Sequence, residues 1–600
     1  MYESFPIYDF KSGLHLDKQP WLIPRDAFSS IKNAFIYQGV LEKRKGFSFW
    51  DGFVNEIEDE SLGNTVNEQL TYSGTLAHYP LRPKDLIIST AGPGETFTDQ
   101  GDGTLDGDNG GSGTINYTTG AWSITYGSNP GGSHAITADY NYYPELPIMG
   151  LTTFYQDAGS SQFLVLNTKR INKYDPVNAE LIDLTGADIF TGTDEDFFWF
   201  DIWKDTLFIT NNFDRIKKYD GGNVTNFDVD FDGDENNDVD NCLLIFTYKG
   251  HLVLLRPTEK GYHKPHRARW SVSNSFTNWK ESEGGGFVDC PTIDWIMGAD
   301  FIGDDLVVMF ERSIWILKYT GDPALPFRWE QVKSTEGCYA TFSVMPFSDE
   351  ILFLGPVQIC GTDGIDVYGI DKKIPDFSLN FDSEKFQYSY SIVIEEKRDS
   401  WLSFVPTGKD LPEQILALNY EEGTWSIFDL AFHSFGYFKQ VADLTWDDVE
   451  QTWDEIEWTW DEKELQAGYP VTLGGTHDGY LYKLNEGSSD NGSNIAAEVI
   501  GANWNPFVDK GLKARLGYLD FLVDVDPGIH FYVDFYKDDS STPYLTKKIT
   551  CDGQGDKVWK RIFSGAVGRF HKIKIYHDEQ AMTFRIHAIS PWFAPAGRLI

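Results

Sequence analysis

The sequence predicts an all-β protein: a β-propeller with an inserted small β domain and a C-terminal β-sandwich-like platform. Three observations predict it. Phe 43, Tyr 30, Trp 19 and Gly 56, with few runs of Ala, Leu, Glu or Lys, favour strands and turns over helices. Hairpins that end in an aromatic-basic tag recur at intervals of roughly forty to fifty residues, the period of propeller blades. The last part of the chain alternates apolar and polar residues with period two, as a half-buried sheet does. At 600 residues the chain exceeds one core, so several domains are expected.

Residues 1–84 read as an N-terminal connector and platform segment. After Pro24, the apolar positions Ala27, Phe28, Ile31, Ala34 and Phe35 have the spacing of one or two helical turns. Residues 51–80 are acidic and polar, and are expected to be partly loop. Residues 85–147, bounded by Pro80–Pro83 and Pro144–Pro147, hold short alternating strands separated by Gly-rich turns and form the inserted small β domain. Residues 148–440 are the propeller blades, with hairpins such as FLVLNTKRINKYDP (163–176) and DLVVMFERSIWILKYTGDP (305–323). Runs such as DLVVMF suit blade strands buried on both faces. A chain of unrelated antiparallel sheets is the alternative. Residues 471–494 supply a final propeller hairpin, and 495–600 the C-terminal platform.

Between them, 441–470 carries three Thr-Trp-Asp-(Asp/Glu) repeats beginning at Thr445, Thr452 and Thr459. Each is a capping-box pattern. If the segment is helical, Trp446, Val449, Trp453, Ile456 and Trp460 form one apolar stripe that needs burial. A corner packed on its own domain and a seam between subunits both satisfy that need. A seam is favoured over an exposed tip, because three exposed indoles promote aggregation.

Asp+Glu 91 against Lys+Arg 50 gives a net charge of −41, which argues against nucleic acid gripped by its phosphates. It is compatible with DNA that passes without being held. The five cysteines form no C-x-x-C pair, so buried reduced thiols are expected rather than a disulfide framework or a zinc site. The N-terminus lacks a basic region followed by an apolar core, and no run of about 18 apolar residues occurs, so a soluble protein made in a cytoplasm is expected.

Asp228, Asp230 and Asp232, followed by Gly233 and then Asn236, follow a D-x-D-x-D-G calcium-loop pattern, in which alternating carboxylates converge on one cation. Val239 stands at the twelfth position, where an EF-hand has Glu, so a shorter calcium loop fits better; a solvated acidic turn is the alternative. The Asp99–Asp108 loop is a weaker version. A basic cluster containing Arg256, Lys264, Arg267 and Arg269 interrupts the acidity and suits an inter-subunit contact, or else a solvated loop. No G-x-S-x-G, H-E-x-x-H or Walker A motif occurs, and no enzyme is expected.

PWLIPRDAFSSIKNAFIYQGVLEKRKGF, with Asn33, Gly39, Arg44 and Gly46, together with RARWSVSNSFTNW (267–279), the Thr-Trp-Asp repeats and the PWFAPAGRL ending, resembles the tail nozzle or hub proteins of short-tailed bacteriophages, the tail tubular protein B-like group. The 85–143 segment resembles a small β module inserted into phage tail and baseplate proteins. The resemblance implies a virion tail protein made in the host bacterium. It also implies a homohexameric ring below the portal and adaptor, docking tail fibres or spikes and conducting genomic double-stranded DNA without sequence readout. Six copies would carry 6 × −41 = −246 formal charges around the channel. The Asp228–Asp240 loop has no counterpart in the resemblance. A propeller that recognises a host-surface glycan or receptor, and then a glycan depolymerase, are the competing expectations.

Overall fold

The computed structural model describes the chain except residues 1, 53, 93, 157–160, 176–179, 187–188, 376, 439–469, 539, 580–581 and 600. The described residues form strands and a few 3₁₀ turns, and no helix among them is long and apolar enough to cross a membrane. Seven four-stranded blades make the propeller. The inner strands of the first six are Ile148–Tyr155, Trp199–Trp203, Leu244–Tyr248, Ile296–Ile302, Met345–Pro346 and Tyr390–Ile394. Blade seven is built from Ser434–Phe438, Val471–Gly475 and Tyr480–Leu484, and takes its outer strand, Phe47–Gly52, from the N-terminal part of the chain. The ring is thus closed by a strand from far away in sequence. Blade four shows why the apolar runs occur: in Asp305–Phe310 every residue after the first is buried.

The two segments that interrupt the propeller leave from opposite ends. The inserted domain lies between blade seven's outer strand and blade one's inner strand, where the chain crosses from blade to blade. Residues 439–469 join two strands inside blade seven, whose register brings Phe438 opposite Val471. Trp446, Trp453 and Trp460 therefore lie outside the described residues.

The inserted domain is larger than the spacing of the prolines predicts. Its eight-stranded sheet begins with Asn55–Asn64 and includes Thr71–Thr75, so residues 55–142, not 85–147, make the module. Asn55–Asn64 escapes a period-two reading because register shifts break the alternation opposite Ile136/Thr137 and Ala138/Tyr140, leaving only Ile57, Leu62 and neighbours half-buried. Leu86, Ile88, Phe97, Trp122, Ile124 and Ile136 fill its separate core. Its acidic turn is self-satisfied: Asp99 accepts from the Lys84 and Gly101 N–H groups and from the Tyr117 hydroxyl.

The expected helical turns at 26–35 are instead two strands, Ala27–Lys32 and Ala34–Tyr37. Asn33 between them adopts φ 50, which resets the inside-outside phase, and two strands out of phase imitate helical spacing. These strands place the N-terminal segment in the platform. One platform sheet orders Ala34–Tyr37, Val40–Lys43, Arg585–Arg598, Leu512–Asp524 and Lys557–Gly568. The facing sheet contains Ala27–Lys32, Ala497–Gly501, His571–His577, His530–Lys537 and Leu545–Thr550, and continues through Thr424–Phe428 into blade six. Phe521, Phe531, Ile575 and Phe593 are part of the core between them, which extends to Leu354 and Phe404 of the propeller. Platform and propeller therefore share one core.

A buried polar knot joins the pieces. Arg44 places Nη1 and Nη2 on the two Asp490 oxygens at 2.7 and 2.6 Å, and its Nε donates to Asn33 Oδ1 at 2.8 Å. Asn33 Nδ2 donates to the Ala496 carbonyl at 2.8 Å, and the Asp429 N–H donates to Asn33 Oδ1 at 2.9 Å. Gly46 lies against the Ser489 backbone, where a Cβ would come within 1.9 Å of the carbonyl oxygen. Fork-on-fork geometry and full hydrogen bonding make this pair strong, and removing one partner strands the other. Arg44→Ala is expected to cost about 3 kcal/mol or more, and Gly46→Ala to destabilise the same junction. Urea titration followed by tryptophan fluorescence checks both.

Candidate functional site

Aromatic side chains from several blades meet at the propeller axis. Phe197 and Trp199 of blade two reach across the ring to Phe342, which precedes blade five; Phe197 also meets Tyr390 of blade six and His433 before blade seven. Ring centroids lie 5.4 Å apart for Phe197–Phe342, 5.3 Å for Phe197–Tyr390, 4.8 Å for Phe197–His433 and 6.3 Å for Trp199–Phe342. Phe342 and Tyr390 stack at 5.2 Å with planes 9° apart. Contacts between non-neighbouring blades can only meet at the centre, so an aromatic plug occupies it.

At the end of the plug where the inner strands begin, Asp194 gathers three side chains. Its Oδ2 accepts from the Tyr388 hydroxyl at 3.1 Å and faces His477 Nε2 at 3.2 Å, while its carbonyl faces His433 Nε2 at 3.2 Å. Burial, with His477 beside it, pushes the His433 imidazole down to about 4. Burial and Asp194 push the Tyr388 hydroxyl up. Neither imidazole is bonded to a Ser, Thr or Cys among the described residues, so the arrangement is not the triad of acyl transfer. The five cysteines are buried and unpaired. Sequence reasoning misses this cluster because its members come from four inter-strand turns with no common spacing.

His433 is neutral in the fold and has an ordinary value of 6.5 when unfolded. The unfolded chain therefore takes up the proton first as pH falls, and stability declines between pH 6.5 and about 4. The full effect is about 3 kcal/mol. Melting curves across that window are expected to show a steeper acid loss for the parent than for His433→Gln.

The acidic loop follows blade two. The structure brings together Asp230, Asp232, Asp234 and Asp238, with carboxylate oxygens within 4.8 Å of one another, rather than Asp228, Asp230, Asp232 and Asn236. Asp228 turns away to pair with Arg215, and Asn236 folds back on Asp234, donating its N–H at 2.9 Å. Asp238 enters because the loop closes on itself: its carboxylate accepts the Phe231 N–H at 3.0 Å. Lys260 already supplies a positive charge, at 2.5 Å from Asp232 and 3.0 Å from Asp238, and these carboxylates hold its ammonium above the usual lysine range. A calcium ion would gain the full carboxylate set only by displacing Lys260. Equal melting temperatures in calcium and in chelator are expected for the parent, and a calcium-dependent rise for Lys260→Met.

Within the basic cluster, Arg256, Arg267 and Arg269 have partners inside the chain. Arg269 is 1% exposed and binds Glu259 at 2.6 Å while its guanidinium lies 3.9 Å from the Phe231 ring. Arg267 bridges Glu259 and Asp289, both at 2.7 Å, over Phe287. Arg256 packs on Trp295 and donates to the Ile296 carbonyl at 3.0 Å; burial pushes its guanidinium down to about 10. Lys264 lies over Tyr262. The partners sit on adjoining strands and loops, so linear charge counting overstates the positive face.

No protein-family model matches the sequence, and no curated protein matches it. Among solved structures, the extracellular domain of a one-component system from B. thetaiotaomicron aligns over 94% of this chain and 64% of its own, with 10% identity and a TM-score of 0.28. The chain thus spans less than two thirds of that neighbour's length. An exo-β-1,3-galactanase from Phanerochaete chrysosporium aligns over 68% of this chain and 97% of its own, with 6% identity and a TM-score of 0.23. The AfRom2 CNH domain aligns over 57% and 95%, with 7% identity and a TM-score of 0.31.

Proposed function

We propose that this chain is a structural virion protein, the subunit of a hexameric tail nozzle of a short-tailed phage. It retains packaged DNA and conducts it at ejection. The observation that carries the proposal is a platform edge strand that no other described strand pairs on its outer side. Lys557–Gly568 ends its sheet's strand order, and its outward side shows Trp559, Phe563 and Val567 at 49, 69 and 39% exposure. A twelve-residue edge strand with aromatic side chains facing water is a template for another chain. The next copy in a ring is the partner that covers it.

Charge supports the same arrangement. Residues 495–600 hold 14 Lys and Arg against 12 Asp and Glu, so the acid excess, −43, lies in residues 1–494. Near-neutral platforms can pack side by side, while acidic propellers and inserted domains repel DNA enough to let it slide. The filled propeller axis means that any bore must lie between subunits. Portal and adaptor above, and fibres or spikes around, are the partners this role requires.

Native mass measurement and particle imaging test the proposal. Six-fold rings with an axial bore lined mainly by carboxylates are expected, and Trp559→Glu with Phe563→Lys should release folded monomers of unchanged melting temperature. A stable monomer or trimer, or a bore lined by lysine and arginine, overturns it.

A further inference from the structure

Four of the twelve histidines fall between residues 530 and 587, all in the platform. Two of them meet at one end of its second sheet. His530 opens the strand His530–Lys537, and His577 closes the neighbouring strand His571–His577, with Glu579 two residues beyond it. One nitrogen from each ring and one Glu579 oxygen lie within 4.8 Å of one another. We propose that His530, His577 and Glu579 bind a divalent transition-metal cation of the zinc class.

The hydrogen bonding around His530 suits a bound cation. His530 faces an acceptor at both nitrogens, the Gly528 carbonyl at 3.4 Å from Nδ1 and Glu579 Oε1 at 2.9 Å from Nε2. A neutral imidazole has one N–H and satisfies only one of them. With a metal between Nε2 and Glu579, Nδ1–H donates to the carbonyl, the usual outer partner of a ligating histidine. The Tyr532 hydroxyl donates to Glu579 Oε1 at 3.1 Å and holds that carboxylate in place.

His577 gives the second, independent sign. Lys43 Nζ occupies its Nδ1 side at 2.9 Å, while Nε2 has no hydrogen-bond partner among the described residues although the residue is only 1% exposed. A buried polar nitrogen without a partner costs about 1–3 kcal/mol, and a metal bond removes that cost.

Two imidazoles and a carboxylate suit zinc rather than calcium or magnesium, which prefer oxygen alone. Ligand atoms in a tetrahedral zinc site stand about 3.3 Å apart, so side-chain rotation closes the remaining distance. Glu579 is 40% exposed at its side chain, leaving the fourth position open to water or to a neighbouring subunit. The ion would staple the end of two strands and Glu579 beyond them.

The test uses untagged full-length protein, stripped with chelator and titrated with zinc chloride by calorimetry, with metal content measured after dialysis. One zinc per chain and a melting temperature raised by several degrees are expected. Glu579→Gln and His530→Asn should each weaken binding at least tenfold, whereas Asp230→Asn with Asp232→Asn should leave it unchanged. Cobalt(II) added to the stripped parent should give the intense visible absorption of a four-coordinate site, a readout that holds whether or not the variants fold. Failure of the parent to retain zinc, affinity undiminished in both ligand variants, or only the weak spectrum of hydrated cobalt overturns the assignment.

Discussion

The bidentate contact between Arg44 and Asp490 is the constraint on which the architecture turns. The chain enters the propeller at Phe47 and leaves it after Leu484, and the blade that closes the ring needs both segments side by side. Bringing residues so distant in sequence together costs loop-closure entropy, growing with the logarithm of their separation. Arg44, Asn33 and Gly46 offset that cost locally, by linking the entering strand to the exit of blade seven and to the end of blade six. The same three residues stand in one short N-terminal stretch of the sequence. Their pattern therefore has a mechanical reason: it is where platform and propeller are fastened.

With the ring closed, its centre is packed rather than hollow. Seven converging strands leave space that must hold either water or side chains, and here Phe197, Trp199, Phe342 and Tyr390 fill it. Tilted ring contacts from blade two to Phe342 and Tyr390 tie distant blades together.

Charge is organised on two scales. Over the whole molecule the acid excess sits in the propeller and the inserted domain. Locally the basic side chains are spent on nearby carboxylates, as with Arg267 and Arg269 on Glu259, Arg561 on Asp520, and Lys260 on Asp232 and Asp238. Burial raises the stakes, because a guanidinium with Arg269's exposure is tolerable only when hydrogen-bonded to a carboxylate.

Sequence by itself determined the strand content, the blade period, the position of blade seven's central hairpin and the platform's alternating strands. Those features are local: side chains separated by two residues face the same way whatever the rest of the chain does. Sequence also singled out the acidic loop, though with Asp228 and Asn236 in place of Asp234 and Asp238. Only the tertiary structure decided that Phe47–Gly52 completes the last blade, that Asn33 divides an apparent helix into two strands, and that the inserted domain begins at residue 55. It alone brought Asp194 to His477, and His530 to His577 and Glu579. These outcomes depend on register, phase breaks and contacts between remote segments, and they are fixed by which surfaces pack together, a quantity that no short stretch of residues contains.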